Sequence, residues 1–255
     1  MPDYTSNQLI VLLITLFLGG ILQSTVGFGY ALLCIPIFVA AGIPLNEAVI
    51  IIVCSAFFQS LYTFYTLRKE ISIKKSFLPA SIRIVALSIG IAILSRINDL
   101  PKEKIQLFIG IAVLSLVLIL WFWKPKKSRE EELPVQWTFL TFTVSGIFSS
   151  ISGMGGPPIV IWSLYQPWSA KKIRAFLFSI YLLTMPPQFL FFYLKFGNST
   201  LKAMLISMLS VPIVLLGSFI GQRIGNKLNK NQLKNTAFAL LLIIALKSIL
   251  ASISF

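Results

Sequence analysis

The sequence contains no histidine and few acidic residues. Eight aspartates and glutamates stand against 22 lysines and arginines. The absence of histidine excludes histidine-ligated metal sites, histidine general bases and histidine proton relays. Charged residues make up 12% of the chain, which is about half of the ~25% that soluble domains carry. This composition leaves no room for a sizeable soluble domain.

Cysteine is almost as rare. Cys34 and Cys54 both lie inside apolar runs, so we interpret them as small core residues and not as a disulfide. Neither cysteine has a charged neighbour in sequence that would activate its thiol. We therefore expect no catalytic residue, no bound metal and no cofactor. A membrane enzyme or sulfur-transfer partner is the weakest of the alternatives that the sequence leaves open.

Long apolar runs dominate what is present, and hydrophobic residues make up 56% of the chain. Each run is long enough to cross a ~30 Å hydrocarbon core as a helix. The N-terminus has no basic residue, so we expect no cleaved signal peptide. The pattern predicts an all-α polytopic membrane protein. Its apolar segments are 8–41, 44–67, 77–96, 104–123, 137–166, 172–195, 201–222 and 232–252.

The net charge is +14, which in a soluble protein would suggest a nucleic-acid partner. Here the basic residues fall mainly at the ends of apolar segments, where membrane topology and anionic lipid headgroups explain them. Attraction of an anionic solute is the second interpretation. We expect the lipid bilayer and a small anionic substrate as partners, and no nucleic acid. The sequence leaves open whether the chain forms a homodimer.

Two of the apolar segments are too long for one simple crossing, and small residues interrupt both. When the interruptions are aligned, the surrounding residues match, which indicates an internal duplication of the kind found in secondary transporters. We predict a first repeat at 1–123, a cytoplasmic linker at 124–136 and a second repeat at 137–255, all within one membrane domain. The aligned pairs are Gly20 with Gly146, Ser24 with Ser150, Gly27 with Gly153, Gly29 with Gly155, Ser55 with Thr184 and Gln59 with Gln188.

The distribution of charge bears on whether each broken segment crosses the membrane or turns back. If each turns back, the loops on one side of the membrane hold 16 of the 22 lysines and arginines, as the positive-inside rule requires. If each crosses once, the basic residues show no bias. We therefore predict two inverted repeats, each a glycine-broken helical hairpin plus three transmembrane helices. A single crossing remains the alternative.

The tips of two such hairpins predict a binding site near the bilayer midplane. A helix that begins there presents free backbone N–H groups and a partial positive charge, which suit an anion. Close helix packing is the alternative role for the glycines and serines, and an interhelical hydrogen bond is the alternative for the glutamines. The candidate substrate-binding residues are Ser24, Thr25, Gly27, Gly29, Gln59, Ser150, Ser152, Gly153, Gly155, Gly156 and Gln188.

Charges within the apolar segments are few. Arg83 lies near the predicted cytoplasmic end of the third segment, where we expect its side chain to snorkel to the membrane surface. No Asp, Glu or His lies at mid-span, so a buried carboxylate proton relay is not visible. The coupling ion stays open, and facilitated diffusion is compatible with the sequence.

Two stretches carry a resemblance to a known family. GGILQSTVGFGYALLCIPIF and SGIFSSISGMGGPPIVIW, together with the duplicated layout, resemble the TauE/SafE sulfite exporter family. The family's glycine motifs correspond to Gly27 and Gly29 and to Gly153, Gly155 and Gly156. The first cluster lacks the Pro-Pro of the second, so the two tips are expected to contribute unequally.

The resemblance implies a multi-pass protein of the bacterial inner membrane. It further implies a secondary transporter that exports a small sulfur-containing anion, such as sulfite or an organosulfonate, by alternating access at a midplane site between the repeats. A passive anion channel and an importer of a sulfur compound such as thiosulfate are the alternatives.

Overall fold

The computed structural model describes residues 4–97, 104, 111, 133–233, 235, 236 and 239. Within these residues the chain is helical and contains no strand. Most of the predicted segments 104–123 and 232–252 and most of the predicted linker lie outside the described residues. The helices are α1 (Ser6–Val26), α2 (Tyr30–Ala40), α3 (Leu45–Leu67), α4 (Phe77–Ile97), α5 (Val135–Ser152), α6 (Gly156–Leu164), α7 (Ala170–Phe196) and α8 (Asn198–Gly225).

Side-chain caps and membrane-length apolar runs explain where the helices form. Thr5 and Gln8 form a capping box at the start of α1, and Ser169 caps α7 by accepting a hydrogen bond from the Lys172 amide. Among the described residues, α1, α3, α4, α7 and α8 are long and apolar enough to cross a membrane. The predicted polytopic all-α architecture is thereby confirmed at this level of detail.

The first long apolar segment turns back at its glycines. Gly27 caps the end of α1 with φ 97° and Gly29 precedes the first residue of α2 with φ 102°, a backbone region that favours glycine. Gln8 Nε2 donates to the Ala41 carbonyl at 2.9 Å, so the end of α2 lies beside the start of α1. The first turn of α2 packs on Gly19. The N-terminus of α2 therefore lies about 10 Å before the end of α1 along its axis.

The second long segment reverses in the same way. Gly153 ends α5 with φ 67°. Ser145 Oγ donates to the Gly155 carbonyl at 2.6 Å, which sets the start of α6 beside the last two turns of α5. The rings of Phe142 and Trp162 meet at 5.5 Å between centroids, so α6 returns along α5. Both short helices consequently begin inside the helical bundle.

Each broken segment packs mainly on a helix from the other half of the chain. α1 lies along α8, α5 lies along α4, and α3 and α7 pack together in the middle. Small residues allow this close approach, since a side chain on Gly217 would collide with the Phe17 carbonyl and one on Gly90 with the Ile147 carbonyl. This arrangement brings the two glycine breaks together.

Candidate functional site

A small cavity lies where the two breaks meet. The space open to the centres of water-sized spheres is about 30 Å³, room for roughly two water molecules. Both breaks contribute to its wall, and the middle turns of α3 and α7 close its sides. The wall consists of Gln23, Phe28, Gly29, Tyr30, Ala31, Leu32, Ile52, Val53, Ala56, Arg83, Ser149, Gly153, Met154, Gly156, Pro157, Tyr181 and Met185.

The N-terminus of α2 presents backbone donors to this cavity. Gly29 is the N-cap and supplies no side-chain hydrogen bond. Leu33 N–H is the first amide with a helical partner, the Gly29 carbonyl at 3.0 Å. The amides of Tyr30, Ala31 and Leu32 therefore have no intrahelical acceptor, and all three residues line the cavity. This helix end can hold an anion with three N–H groups and its positive dipole end.

The N-terminus of α6 is poorer in donors. Its first turn begins with Gly156 and continues with Pro157 and Pro158, and its N-cap, Gly155, makes no side-chain cap. Proline has no N–H, so Gly156 supplies the one amide donor of this turn. The predicted inequality of the two tips follows from this count. The second tip contributes its dipole with little hydrogen bonding.

A buried arginine stands next to this second tip. Arg83 on α4 is 2% exposed. Its Nη1 donates to Thr184 Oγ1 at 2.5 Å and its Nη2 to Ser149 Oγ at 2.8 Å. Its Nε has no hydrogen-bond partner. Both partners are neutral hydroxyls. Glu47 and Glu70 are the acidic residues in the described part of the chain, and Arg83 bonds to neither.

Tyr181 on α7 connects the two tips. Its hydroxyl donates to the Gly27 carbonyl at 3.2 Å, and its ring centroid lies 5.4 Å from the guanidinium carbon of Arg83. A side chain on Gly156 would come within 2.8 Å of both the Tyr181 oxygen and Phe28 Cβ. Close contact between the two tips thus depends on glycine at position 156.

The predicted glycines divide into two groups. Gly29, Gly153 and Gly156 lie in the cavity wall. Gly27 and Gly155 do not line the cavity. Gly27 packs against Leu177, and Gly155 packs against Ser145 and the Arg83 guanidinium. All five shape the tips. Whether any of them contacts a substrate stays a prediction.

The structure does not bring the other predicted residues into the cavity wall. Gln59 Nε2 donates to the Gly20 carbonyl at 2.9 Å and to Ser24 Oγ at 2.8 Å. Gln188 Nε2 donates to the Ser149 carbonyl at 3.2 Å. These are interhelical hydrogen bonds, the alternative role considered for both glutamines. The remaining hydroxyls donate to backbone carbonyls, Thr25 to Ile21 and Gly221, Ser150 to Leu87, and Ser152 to Phe148.

The expectation that Arg83 snorkels to the membrane surface is wrong. Its side chain lies inside the bundle, where Thr184 on α7 and Ser149 on α5 accept hydrogen bonds from the guanidinium. The sequence did contain a signal that Arg83 is functional, because a lone arginine lies inside an apolar run and charges inside membrane segments usually mark functional sites. Tyr181 and Gln23 carried no comparable signal.

The cavity offers no metal-ligand set. No group of three or more His, Cys, Asp or Glu side chains occurs in the part of the chain that the structure describes. Cys34 and Cys54 are buried free thiols. The cavity wall provides backbone amides, hydroxyls and a guanidinium as hydrogen-bond donors, and together these donors suit an oxyanion.

Sequence comparison relates the chain to a curated bacterial protein. A curated relative from Cupriavidus necator, named "Probable sulfite/organosulfonate exporter TauE", is 24% identical over 170 residues. The match covers 65% of this chain and 64% of the relative, slightly less than two thirds of its length. No solved structure matches the chain.

The family model described as "Sulfite exporter TauE/SafE" matches residues 12–248. Together with the membrane-length helices, this match confirms a multi-pass membrane protein, and the bacterial relative fits the predicted inner membrane. The chain belongs to the TauE/SafE sulfite exporter family.

Proposed function

We propose that this protein is a secondary transporter that exports a small sulfur-containing oxyanion, sulfite or an organosulfonate, across the bacterial inner membrane. The central cavity is the binding site, and access to it alternates between the two sides. The name of the relative supports the substrate class and the direction. The chemistry of the cavity wall supports an anion independently of that name.

Arg83 carries the proposal. A buried cation is costly unless it is paired, and the hydrogen-bond partners of Arg83 are neutral hydroxyls. The starts of α2 and α6 each add roughly half a positive charge to the same cavity. No carboxylate lines the wall among the described residues. An anionic ligand is the group that balances this charge.

The apolar part of the cavity wall suits the remainder of a sulfonate. Val53, Ala56 and Met185 contribute to this apolar surface. A sulfonate head can accept hydrogen bonds from the α2 amides and Arg83 while a short organic group lies against this surface. At about 30 Å³ the cavity must widen before it holds an anion of several heavy atoms. Loading is thereby tied to a movement of the tips.

Helix directions support inverted repeats as the basis of that movement. Tyr4 hydrogen-bonds Glu47, and further along both helices Gln59 bonds Ser24, so α1 and α3 run in the same direction. α4 follows α3 after two short turns and runs back. Gly146 packs on the Arg83 carbonyl, so α5 lies alongside α4.

α5 also runs parallel to α4, because the next contact, Ser150 Oγ to the Leu87 carbonyl at 2.9 Å, advances along both helices. α1 and α5 then point in opposite directions, as inverted repeats require. The packing of each broken segment repeats as well, since the Ile21 carbonyl meets Gly221 and the Ile147 carbonyl meets Gly90. Rocking of one repeat against the other would open the cavity to one side at a time.

The test is flux in proteoliposomes containing the purified protein, with radiolabelled sulfite and sulfoacetate. We expect saturable uptake, acceleration by unlabelled substrate on the opposite side, and loss of both in Arg83→Gln. Single-channel currents would instead favour a passive anion channel. Absence of saturable flux for any sulfur oxyanion would contradict the proposal, and uphill accumulation of thiosulfate in cells would identify an importer.

A further inference from the structure

A second, larger cavity opens at the predicted cytoplasmic ends of α3, α7 and α8. Its volume is about 370 Å³, within the range of small-molecule sites. Lys171, Arg223 and Glu70 line it, together with the polar side chains of Thr66 and Asn226. We call this cavity the inner cleft. Its lining carries two cations against one carboxylate.

One face of α3 runs from the central cavity to the inner cleft. Ile52 and Ala56 line the central cavity, and Thr66 lines the inner cleft. Gln59 and Thr63 lie between them. These five positions follow one another at spacings of three or four residues, which places them on a single helix face.

One face of α7 also extends from the central cavity to the inner cleft. Met185 and Tyr181 line the central cavity, Lys171 lines the inner cleft, and Phe178 and Arg174 lie between them at helical spacing. Each stripe rises about 21 Å from cavity to cleft at 1.5 Å per residue. Since α3 and α7 pack together, the two stripes define one route between the cavities.

Unpartnered polar atoms mark this route. Gln59 Oε1, Thr63 Oγ1 and Arg174 Nε are buried and have no hydrogen-bond partner. Buried polar atoms are normally satisfied, and exceptions call for an explanation such as water or a transient ligand. Three such atoms lie between the two cavities. A passing hydrated anion would supply donors to the oxygens through its water and an acceptor to the guanidinium.

Arg174 connects the inner cleft to the first tip. It is fully buried. Its Nη1 donates to Asn226 Oδ1 in the cleft lining at 3.0 Å, and its Nη2 donates to the Ser24 carbonyl near the end of α1 at 2.7 Å. Its Cγ lies 3.6 Å from where a side chain on Gly27 would begin. Movement of the first tip therefore acts directly on this guanidinium.

We infer that the inner cleft is a second anion-binding site, from which substrate loads the central cavity along the α3–α7 face by way of Arg174. The inference rests on the proposed function and adds the entry site to it. Lys171 and Arg223 attract the anion, and Arg174 is the next cation on its path. Phe178, which is fully buried and packs edge-on to Tyr181 at 6.0 Å, closes the route in this structure.

The test compares cations at opposite ends of the same two helices. Lys171→Gln and Arg223→Gln alter the inner cleft on α7 and α8, whereas Lys195→Gln and Lys202→Gln alter the other ends of α7 and α8 and serve as matched controls. All four side chains are exposed. Uptake of radiolabelled sulfoacetate is measured into inverted and right-side-out membrane vesicles. We expect the two cleft variants to raise KM about threefold or more in inverted vesicles, with unchanged maximal rate and a smaller difference at high salt.

The outcomes separate the inference from the proposed function. Equal KM values for all four variants and the wild type would overturn the loading site while leaving export intact. An effect of the cleft variants in right-side-out vesicles alone would overturn its cytoplasmic position. If the wild-type protein transports no sulfur oxyanion, the proposed function itself fails.

A second measurement follows the route directly. In a Cys34→Ala, Cys54→Ala background, Thr63→Cys places a single thiol on the proposed path. We expect an anionic methanethiosulfonate reagent to modify it from the cleft side, and to react faster while sulfoacetate is being transported than at rest. A thiol that stays unreactive during active transport would contradict the route.

Discussion

Arg83 on α4 lies beside the ring of Tyr181 on α7, with the guanidinium carbon 5.4 Å from the ring centroid. Both residues are buried, and they come from different halves of the chain. The aromatic face helps to hold the cation, while Thr184 and Ser149 fix two of its nitrogens. The positive charge of Arg83, which belongs to the first half of the chain, is thereby held beside the start of α6, which belongs to the second half.

Replacing Arg83 tests the importance of this charge. We expect Arg83→Gln to weaken sulfoacetate binding about 10- to 150-fold, because a charge-assisted hydrogen bond contributes roughly 1.5–3 kcal/mol. Arg83→Lys should recover part of the affinity, since it keeps the charge and loses the forked geometry. Isothermal titration of the detergent-solubilised protein measures both variants.

Arg68→Gln is the control for this experiment. Arg68 is an exposed cation stacked over Tyr65 at 4.0 Å, outside both cavities. Its replacement should leave the dissociation constant within twofold. Equal losses in the Arg83 and Arg68 variants would mean that overall charge, and not the central cavity, governs binding.

The sequence predicted the helices and their breaks because both depend on local chemistry. Apolar length predicted α3, α4, α7 and α8, and the clusters at Gly27 and at Gly153 predicted where α1 and α5 end. Glycine at these positions acts through its own backbone, since both residues adopt positive φ. No distant contact is needed to foresee such a break.

The direction of a buried side chain depends on tertiary packing and could not be predicted in this way. Arg83 lies two turns into α4, where a snorkelling cation and an inward-facing one share the same local sequence. Contact with α5 decides between them. The glutamines show the same limit. Gln59 and Gln188 occupy aligned positions, yet their partners, Ser24 and Ser149, are not aligned with each other.

The proline pair of α6 leads to a prediction about donors. Pro157 lines the cavity and Pro158 does not. Pro157→Ala restores a backbone N–H at the second position of α6 without displacing other atoms. We expect anion affinity to rise about 2- to 12-fold, since one hydrogen bond contributes roughly 0.5–1.5 kcal/mol. Pro158→Ala is the matched control and should leave affinity unchanged. A loss of affinity in Pro157→Ala would mean that the start of α6 does not face the ligand.

The aligned glutamines allow a paired comparison. Gln188 bonds Ser149, whose hydroxyl accepts a hydrogen bond from Arg83, whereas Gln59 bonds residues outside the cavity wall. Gln188→Leu should therefore weaken substrate binding about 2- to 12-fold, the loss of one hydrogen bond of roughly 0.5–1.5 kcal/mol. Gln59→Leu should leave the equilibrium dissociation constant within twofold. If Gln59→Leu proves the more damaging for binding, the cavity is not the substrate site.

The cysteines provide a test against thiol chemistry. Cys34 and Cys54 are buried, and the nearest polar contact of Cys34 is its donation to the Thr15 carbonyl at 3.5 Å. We expect the double variant Cys34→Ala, Cys54→Ala to retain more than half of the wild-type transport rate in proteoliposomes. A loss of activity with normal folding, monitored by size-exclusion chromatography and thermal melting, would revive a sulfur-transfer role.

Tyr181 should control the rate of exchange more than affinity. Tyr181→Phe keeps the ring beside Arg83 and removes the hydroxyl that donates to the Gly27 carbonyl at 3.2 Å. That hydrogen bond joins α7 to the first tip, so its loss frees the tip to move while leaving the electrostatics of the cavity in place. We expect the dissociation constant for sulfoacetate to stay within twofold and the rate of substrate-for-substrate exchange to change several-fold. Tyr181→Leu removes the ring as well and should also weaken binding, because the cation then loses its aromatic contact. A Tyr181→Phe variant with unchanged exchange and reduced affinity would instead identify the hydroxyl as a ligand of the anion.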